Sequence, residues 1–270
     1  MPDLTVTYKG STIAELTSQA SKTFYTSSKY CEDDIVLNYN NKTVEDTLVD
    51  RTISTYANND ITTIGSYVFA ECTSLTTVSF PNCTTIDDYA FYQCTRLSTA
   101  SFPKCTIISY SAFYYCTYLT AVSFPECTTI DQFIFASCSR LTTAIFPKCT
   151  TVNGYVFDAC SKLTTVSFPV GTTIGNFTFL NCSSLTTLSF PKCTKIGSAT
   201  FSRCVRLKSL YLTNSSVVTL SRSNAFTSTP IGGYSTTAGT FGSIYVPASL
   251  LASYKAATNW TYFSSRFVGI

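Results

Sequence analysis

Thirteen cysteines and not one histidine set the chemistry open to this 270-residue chain. Without imidazole there is no Ser-His-Asp or Cys-His nucleophile and no His-ligated metal site. Acid–base work would fall to carboxylates, Lys, Tyr or Cys. The acidic candidates are Asp33, Asp34, Asp87, Asp88 and Asp131. Asp87 and Asp131 lie 44 residues apart, two periods of the repeat that organises the chain, and Gly or Ser fills that place in most other copies. Such a pattern reads as surface turns, not as a paired acid and base. The expectation is a protein without catalytic residues, and so not an enzyme.

The cysteines point the same way. Twelve belong to the repeat, in two alternating columns: one at 22-residue steps from Cys72 to Cys204, the other at Cys83, Cys105, Cys127, Cys149 and Cys193. Gly171 stands where the second column skips. No C-x-x-C spacing occurs, so neither a metal site nor another cofactor is expected. The odd total argues against a disulfide framework. Neighbours within a column should lie about one strand spacing apart, ~4.8 Å. Stacked parallel side chains give poor disulfide geometry at that distance, so these read as buried thiols acting as small hydrophobes. Cys31, outside the repeat, is a free thiol or a crosslink.

What positions these residues is the repeat. Phenylalanines recur at 69, 91, 113, 135, 157, 179 and 201, and leucines at 75, 97, 119, 141, 163, 185 and 207. A second phenylalanine column runs from Phe80 to Phe190, each member followed by proline, from Pro81 to Pro191. Columns sharing one strict period mean one unit, stacked. Leu75 to Cys83 fits the core L-x-x-L-x-L-x-x-N/C, which predicts a strand near 76–80. Val78 and Phe80 then point inward, Thr77 and Ser79 outward, and Pro81 ends the strand. The unit I-x-x-x-x-F-x-x-C-x-x-L-x-x-V-x-F-P-x-C-T resembles the BspA-like leucine-rich repeat of bacterial surface proteins. The fold expected is an α/β-type, β-dominated leucine-rich-repeat solenoid with 22-residue coils and parallel strands on one face.

Three regions are expected. Residues 1–45 form a small β module with strands at Leu4–Tyr8, around Phe24-Tyr25 and at Ile35 to Leu37. It resembles short N-terminal modules of phage and prophage tail-associated proteins. Residues 46–228 form the solenoid, beginning with a degenerate coil at Thr47–Asn59. Residues 229–270 form a strand-helix cap: loop at 228–242, a last strand at Gly242–Val246, and a helix at Ala248–Ala257. Trp260, Tyr262, Phe263 and Phe267 cover the final coil. The segment IYVPASLLASYKAATNW resembles the closing segment of repeat proteins in gut Firmicutes and their prophages.

Comparing the copies with one another locates a surface. The strand's outward positions stay Thr or Ser almost throughout, broken by Ile145 and Tyr211. Positions flanking the Phe-x-x-Cys column vary. There Tyr92, Arg96, Tyr114, Tyr115, Tyr118 and Arg140 should meet along one edge. Tyr and Arg dominate recognition hot spots, so this edge is either a ligand-contact surface or a row of solvated positions free to drift.

Charge constrains the partner. Charged residues make up 12% and net charge is +3, too weak to predict nucleic acid as a partner. No apolar run is long enough to insert in a membrane. The N-terminus has no basic n-region or apolar h-region, so synthesis and assembly in a cytoplasm are expected. The BspA-like resemblance implies adhesion to a protein or glycan on a cell surface. The expectations are a tail-associated receptor-binding phage protein, virion-associated after cytoplasmic assembly, or a secreted or surface-bound bacterial adhesin. A structural spacer is the third. Residues 1–45 would attach the chain to a virion or to further copies of itself.

Overall fold

The computed structural model describes residues 54–57, 59–234 and 241–270, with the backbone of five strands before them at Leu4–Tyr8, Ser11–Leu16, Lys22–Thr26, Ile35–Tyr39 and Lys42–Val44. Leu4–Tyr8 pairs antiparallel with Ser11–Leu16, and Ile35–Tyr39 pairs antiparallel with both Lys22–Thr26 and Lys42–Val44. Cys31 and positions 47–53 lie outside the described residues.

From Thr55 onward the chain is a parallel-strand solenoid of 22-residue coils. Each coil opens with a three-residue front strand, from Thr55–Ala57 and Thr77–Ser79 to Ser209–Tyr211. Val78, inward, is buried, while Thr77 and Ser79 are half exposed. The proline after Phe80 then bends the chain, because it has no amide to extend the ladder.

The structure departs from the sequence reading in the return half. Parallel strands occupy a second face too, two residues long, from Thr63–Ile64 to Thr219–Leu220. They form one ladder in register, Ile64 beside Ile86 and on to Ile196 beside Leu220. The only α-helix among the described residues is Leu251–Ala256.

Between the second strand and the next front strand the backbone forms a flank of turns with its own axial hydrogen bonds. Alternate amides donate to the next coil: Tyr89 to Tyr110, Phe91 to Ala112 and Gln93 to Tyr114, at 3.0, 2.7 and 2.8 Å. This aim requires left-handed backbone at two non-glycine residues per coil, such as Tyr89 (φ 58°) and Gln93 (φ 55°). Each costs about 1–2 kcal/mol, which the axial bond and packing offset.

The core is aromatic. Phe69, Phe91, Phe113, Phe135, Phe157, Phe179 and Phe201 stack face to face, with centroids 5.0–5.9 Å apart. Phe80 to Phe168 form a second stack, tilted against the first. The cysteines do more than fill space. Cys116 Sγ donates to the Phe91 carbonyl at 3.1 Å and Cys138 Sγ to that of Phe113 at 3.3 Å. In the other column each thiol reaches the carbonyl two residues on, as Cys105 does to Ile107 at 3.2 Å. All twelve described cysteines are buried, and no disulfide joins any of them.

Tyr56 covers the first described coil, its ring 5.4 Å from Phe69 and 5.3 Å from Phe80. At the other end the front ladder continues through Ser243–Val246 and a strand unforeseen in the sequence, Phe267–Gly269. The predicted helix is divided into a 3-10 turn, Ala248–Leu250, and the α-helix, and Tyr254 is buried. Trp260, Phe263 and Phe267 are buried, but Tyr262 is 75% exposed and covers nothing. Trp260 Nε1 donates to the Val218 carbonyl at 2.7 Å, and the Tyr254 hydroxyl accepts from the Val218 amide at 3.1 Å. These bonds satisfy backbone groups beside the last second strand that would otherwise be orphaned. Residues 235–240 of the predicted loop lie outside the described residues.

Candidate functional site

The flank places the six edge residues in adjacent coils. Tyr92 and Tyr114 occupy the same position one coil apart and stack at 5.7 Å with planes 17° apart. Tyr115 lies beside Tyr114, centroids 6.3 Å apart. Arg140 extends its guanidinium over the Tyr118 ring, 3.8 Å from the centroid. Tyr115 and Tyr118 are 45% and 44% exposed. Arg96 is exposed one coil before Tyr118, in the same column. Tyr115 takes left-handed backbone (φ 63°), and its amide is fixed by the Ala136 carbonyl at 2.9 Å. The ridge is thus built on bonded backbone and not on a loose loop.

A second row of aromatics, missed in the sequence reading, runs beside it. Tyr67 stacks on Tyr89 at 4.8 Å, and Phe133, Tyr155 and Phe177 stack in turn at 4.6 Å. Tyr110 bridges Tyr89 and Phe133 edge-on. Tyr89 also meets Tyr92 edge-on at 5.6 Å, which joins the two rows. The signal was available: positions 67, 89, 133, 155 and 177 are all aromatic at the 22-residue period. Their left-handed backbone was not, since Tyr and Phe are unfavourable there.

Two hollows among the described residues lack a cluster of acidic or thiol side chains. A groove of about 370 Å³ opens on the front sheet beside Ala121, Ser123, Pro103 and Ile145. It lies where the ladder is interrupted between Thr99–Ser101 and Ala121–Ser123. A notch of about 280 Å³ lies by Asn153, Gly175 and Asn176. Gly175 is required there, because a Cβ would come within 2.5 Å of the Asn153 backbone.

Titratable groups are held quiet. Burial pushes the Cys127 thiol up to about 11 and those of Cys83, Cys138, Cys149 and Cys193 up to about 12. A thiol so displaced is not a nucleophile at neutral pH. Partial burial also raises Asp87 and Asp158 from the ordinary aspartate value, and the Asn181 amide, 3.1 Å from Asp158, opposes the rise there. Among the described residues no three His, Cys, Asp or Glu side chains are grouped to hold a metal ion. No helix among them is long and apolar enough to cross a membrane.

Three comparisons place this geometry among known proteins. A model of the BspA type leucine rich repeat region, in six copies, matches residues 48–164 and 128–244. No curated protein matches the chain. Among solved structures, the leucine-rich repeat protein TpLRR of T. pallidum is 26% identical at a TM-score of 0.54, over 58% of this chain and 78% of that one. A leucine-rich repeat protein from Eubacterium ventriosum is also 26% identical, with a TM-score of 0.56, over 65% of this chain but only 51% of its own length. One from Bacteroides ovatus, 16% identical with a TM-score of 0.51 over 86% of this chain and 71% of that one, shares the fold.

Proposed function

Because the chain belongs to the BspA-type leucine-rich repeat family, we propose that it is a non-enzymatic recognition protein whose tyrosine–arginine ridge contacts a protein or glycan on a cell surface. The observation that carries this reading is the exposed ridge itself, with Tyr115 and Tyr118 open to solvent and Arg140 held over Tyr118. Rigid aromatic rings bind at low entropic cost, and a solenoid presents them in fixed register. The absence of histidine and the protonated thiols support a reading without catalysis.

In its finer form the proposal places the protein on a bacterial cell surface. The family and the bacterial sources of its structural neighbours favour that setting. A phage or prophage tail-associated role is the second reading, favoured by the resemblance of residues 1–45 to tail modules. Immunogold labelling of cells and of particles released by induction separates the two.

Binding to a panel of bacterial and animal cells tests the ridge. Combined Tyr114→Ala, Tyr115→Ala and Tyr118→Ala changes are expected to weaken binding at least about a hundredfold, as loss of clustered hot-spot rings does. Thermal unfolding of the same variant should stay close to the parent, because these rings lie outside the core. Unchanged binding would remove the ridge from the account. Binding lost on deleting residues 1–45 but kept in the tyrosine variant would make the solenoid a spacer.

A further inference from the structure

The tyrosine rows continue into a row of cations. The column that holds Arg96 and Tyr118 goes on to Arg140, Lys162 and Arg206. Each precedes its front strand by the same three residues, and the flank ladder carries the register from coil to coil. One coil advances by about a strand spacing, ~4.8 Å. Arg140 and Lys162 are therefore one rise apart, and Arg96–Arg140 and Lys162–Arg206 two rises, about 9–10 Å.

Three of these cations are uncommitted, and Arg140 lies over the Tyr118 ring. Arg96, Lys162 and Arg206 are exposed, and among the described residues none is paired with a carboxylate. Two lysines elsewhere on the coils differ. Lys148 is bound to Glu126 at 2.6 Å and Lys104 to Asn82 at 2.8 Å. Asp158, the carboxylate of the neighbouring column, is half-buried and bonded to Asn181. The ridge thus presents a line of unneutralised charge beside tyrosine hydroxyls.

We propose that the ridge binds a linear anionic glycan laid along the solenoid axis, its acid groups falling in turn on Arg96, on the Arg140–Lys162 pair and on Arg206, and its sugar hydroxyls meeting the hydroxyl edges of Tyr92, Tyr114 and Tyr115. This rests on the recognition reading above and names its ligand class. These three cationic stations lie two to three coil rises apart, about 10–14 Å, close to the spacing of acid groups on a glycan with one per disaccharide. An acidic peptide fits worse, since an extended chain brings same-side residues round every ~6.6 Å. Single-stranded nucleic acid needs open aromatic faces for its bases. Here Tyr114 covers Tyr92 and Arg140 covers Tyr118.

Hyaluronan oligosaccharides, which bear one carboxylate per disaccharide, test this on the full chain by titration calorimetry, with carboxyl-reduced hyaluronan as the neutral control. The parent should bind hyaluronan, bind the neutral chain at least about tenfold more weakly, and lose affinity as salt is raised. Arg96→Glu with Arg140→Glu should weaken binding at least about tenfold, while Lys104→Glu with Lys192→Glu, the same change in net charge, should alter it less than about twofold. Equal loss in both pairs, equal binding of the neutral chain, or tighter binding of polyglutamate or an oligonucleotide would overturn the proposal. If hyaluronan does not bind but the tyrosine variant still loses its cells, the ligand class falls and the recognition reading stands.

Discussion

Raising the pH from 8 to 10 is expected to destabilise the protein steeply, with the urea midpoint falling across that range. Ten buried repeat thiols have their ionisation pushed upward, chiefly by burial, among them Cys116, Cys160 and Cys182 in the middle of the core. An unfolded thiol ionises near 9.0, whereas Cys127 holds its proton to about 11 and Cys138 to about 12. Above about pH 9 the unfolded chain therefore binds fewer protons than the native one, and stability falls as pH rises. The thiol contribution is intact below the unfolded value and is lost progressively towards 11 to 12. Well above its unfolded value each thiol adds a slope approaching about 1.4 kcal/mol per pH unit, so by about pH 10 ten acting together become comparable with a typical stability of 5–15 kcal/mol. Circular dichroism and Trp260 fluorescence in urea at each pH report the midpoint. A urea midpoint constant from pH 8 to 10 would show that the cysteines are not buried as described.

Phe113→Ala is expected to destabilise the fold by about 3–5 kcal/mol. The Phe113 ring is fully buried, stacked 5.0 Å from Phe91 and 5.5 Å from Phe135, with its edge towards Phe102. Each coil contacts mainly its neighbours, so this cavity weakens the coupling between the coils on either side of it. Urea denaturation should show a lower midpoint, with broadening if the halves separate. Tyr262→Ala, at a ring 75% exposed, should change stability by less than about 0.5 kcal/mol. Similar losses in the two variants would contradict the stacked core.

How much was legible depends on what repetition can encode. The Phe, Leu and Cys columns disclosed the solenoid because buried positions repeat identically when coils stack. The ridge was legible for the same reason: a constant period brings Tyr92 beside Tyr114 and Tyr118 beside Arg140. The second sheet was not, since a two-residue strand such as Thr85–Ile86 is too short for an alternating pattern. The flank ladder was hidden because it depends on left-handed backbone at Tyr67, Tyr89 and Phe133, against intrinsic preference. Tyr262 was misjudged because aromatic content says nothing of which way a 3-10 turn faces, and Phe267–Gly269 because a three-residue strand at a chain end carries no signal of its own.

On the function proposed above, recognition takes place on the tyrosine–arginine ridge of the flank and not on the Thr/Ser front sheet. Hydroxyl-radical footprinting of the protein, free and bound to the cells or glycan it captures, tests this most directly. Tyr115 and Tyr118, 45% and 44% exposed, have an internal reference of similar exposure in Tyr234 at 46%. On binding, oxidation of Tyr115 and Tyr118 should fall severalfold while Tyr234 and Tyr262 react as before. Protection of Ile145 on the front sheet, with Tyr115 and Tyr118 unchanged, would contradict the account.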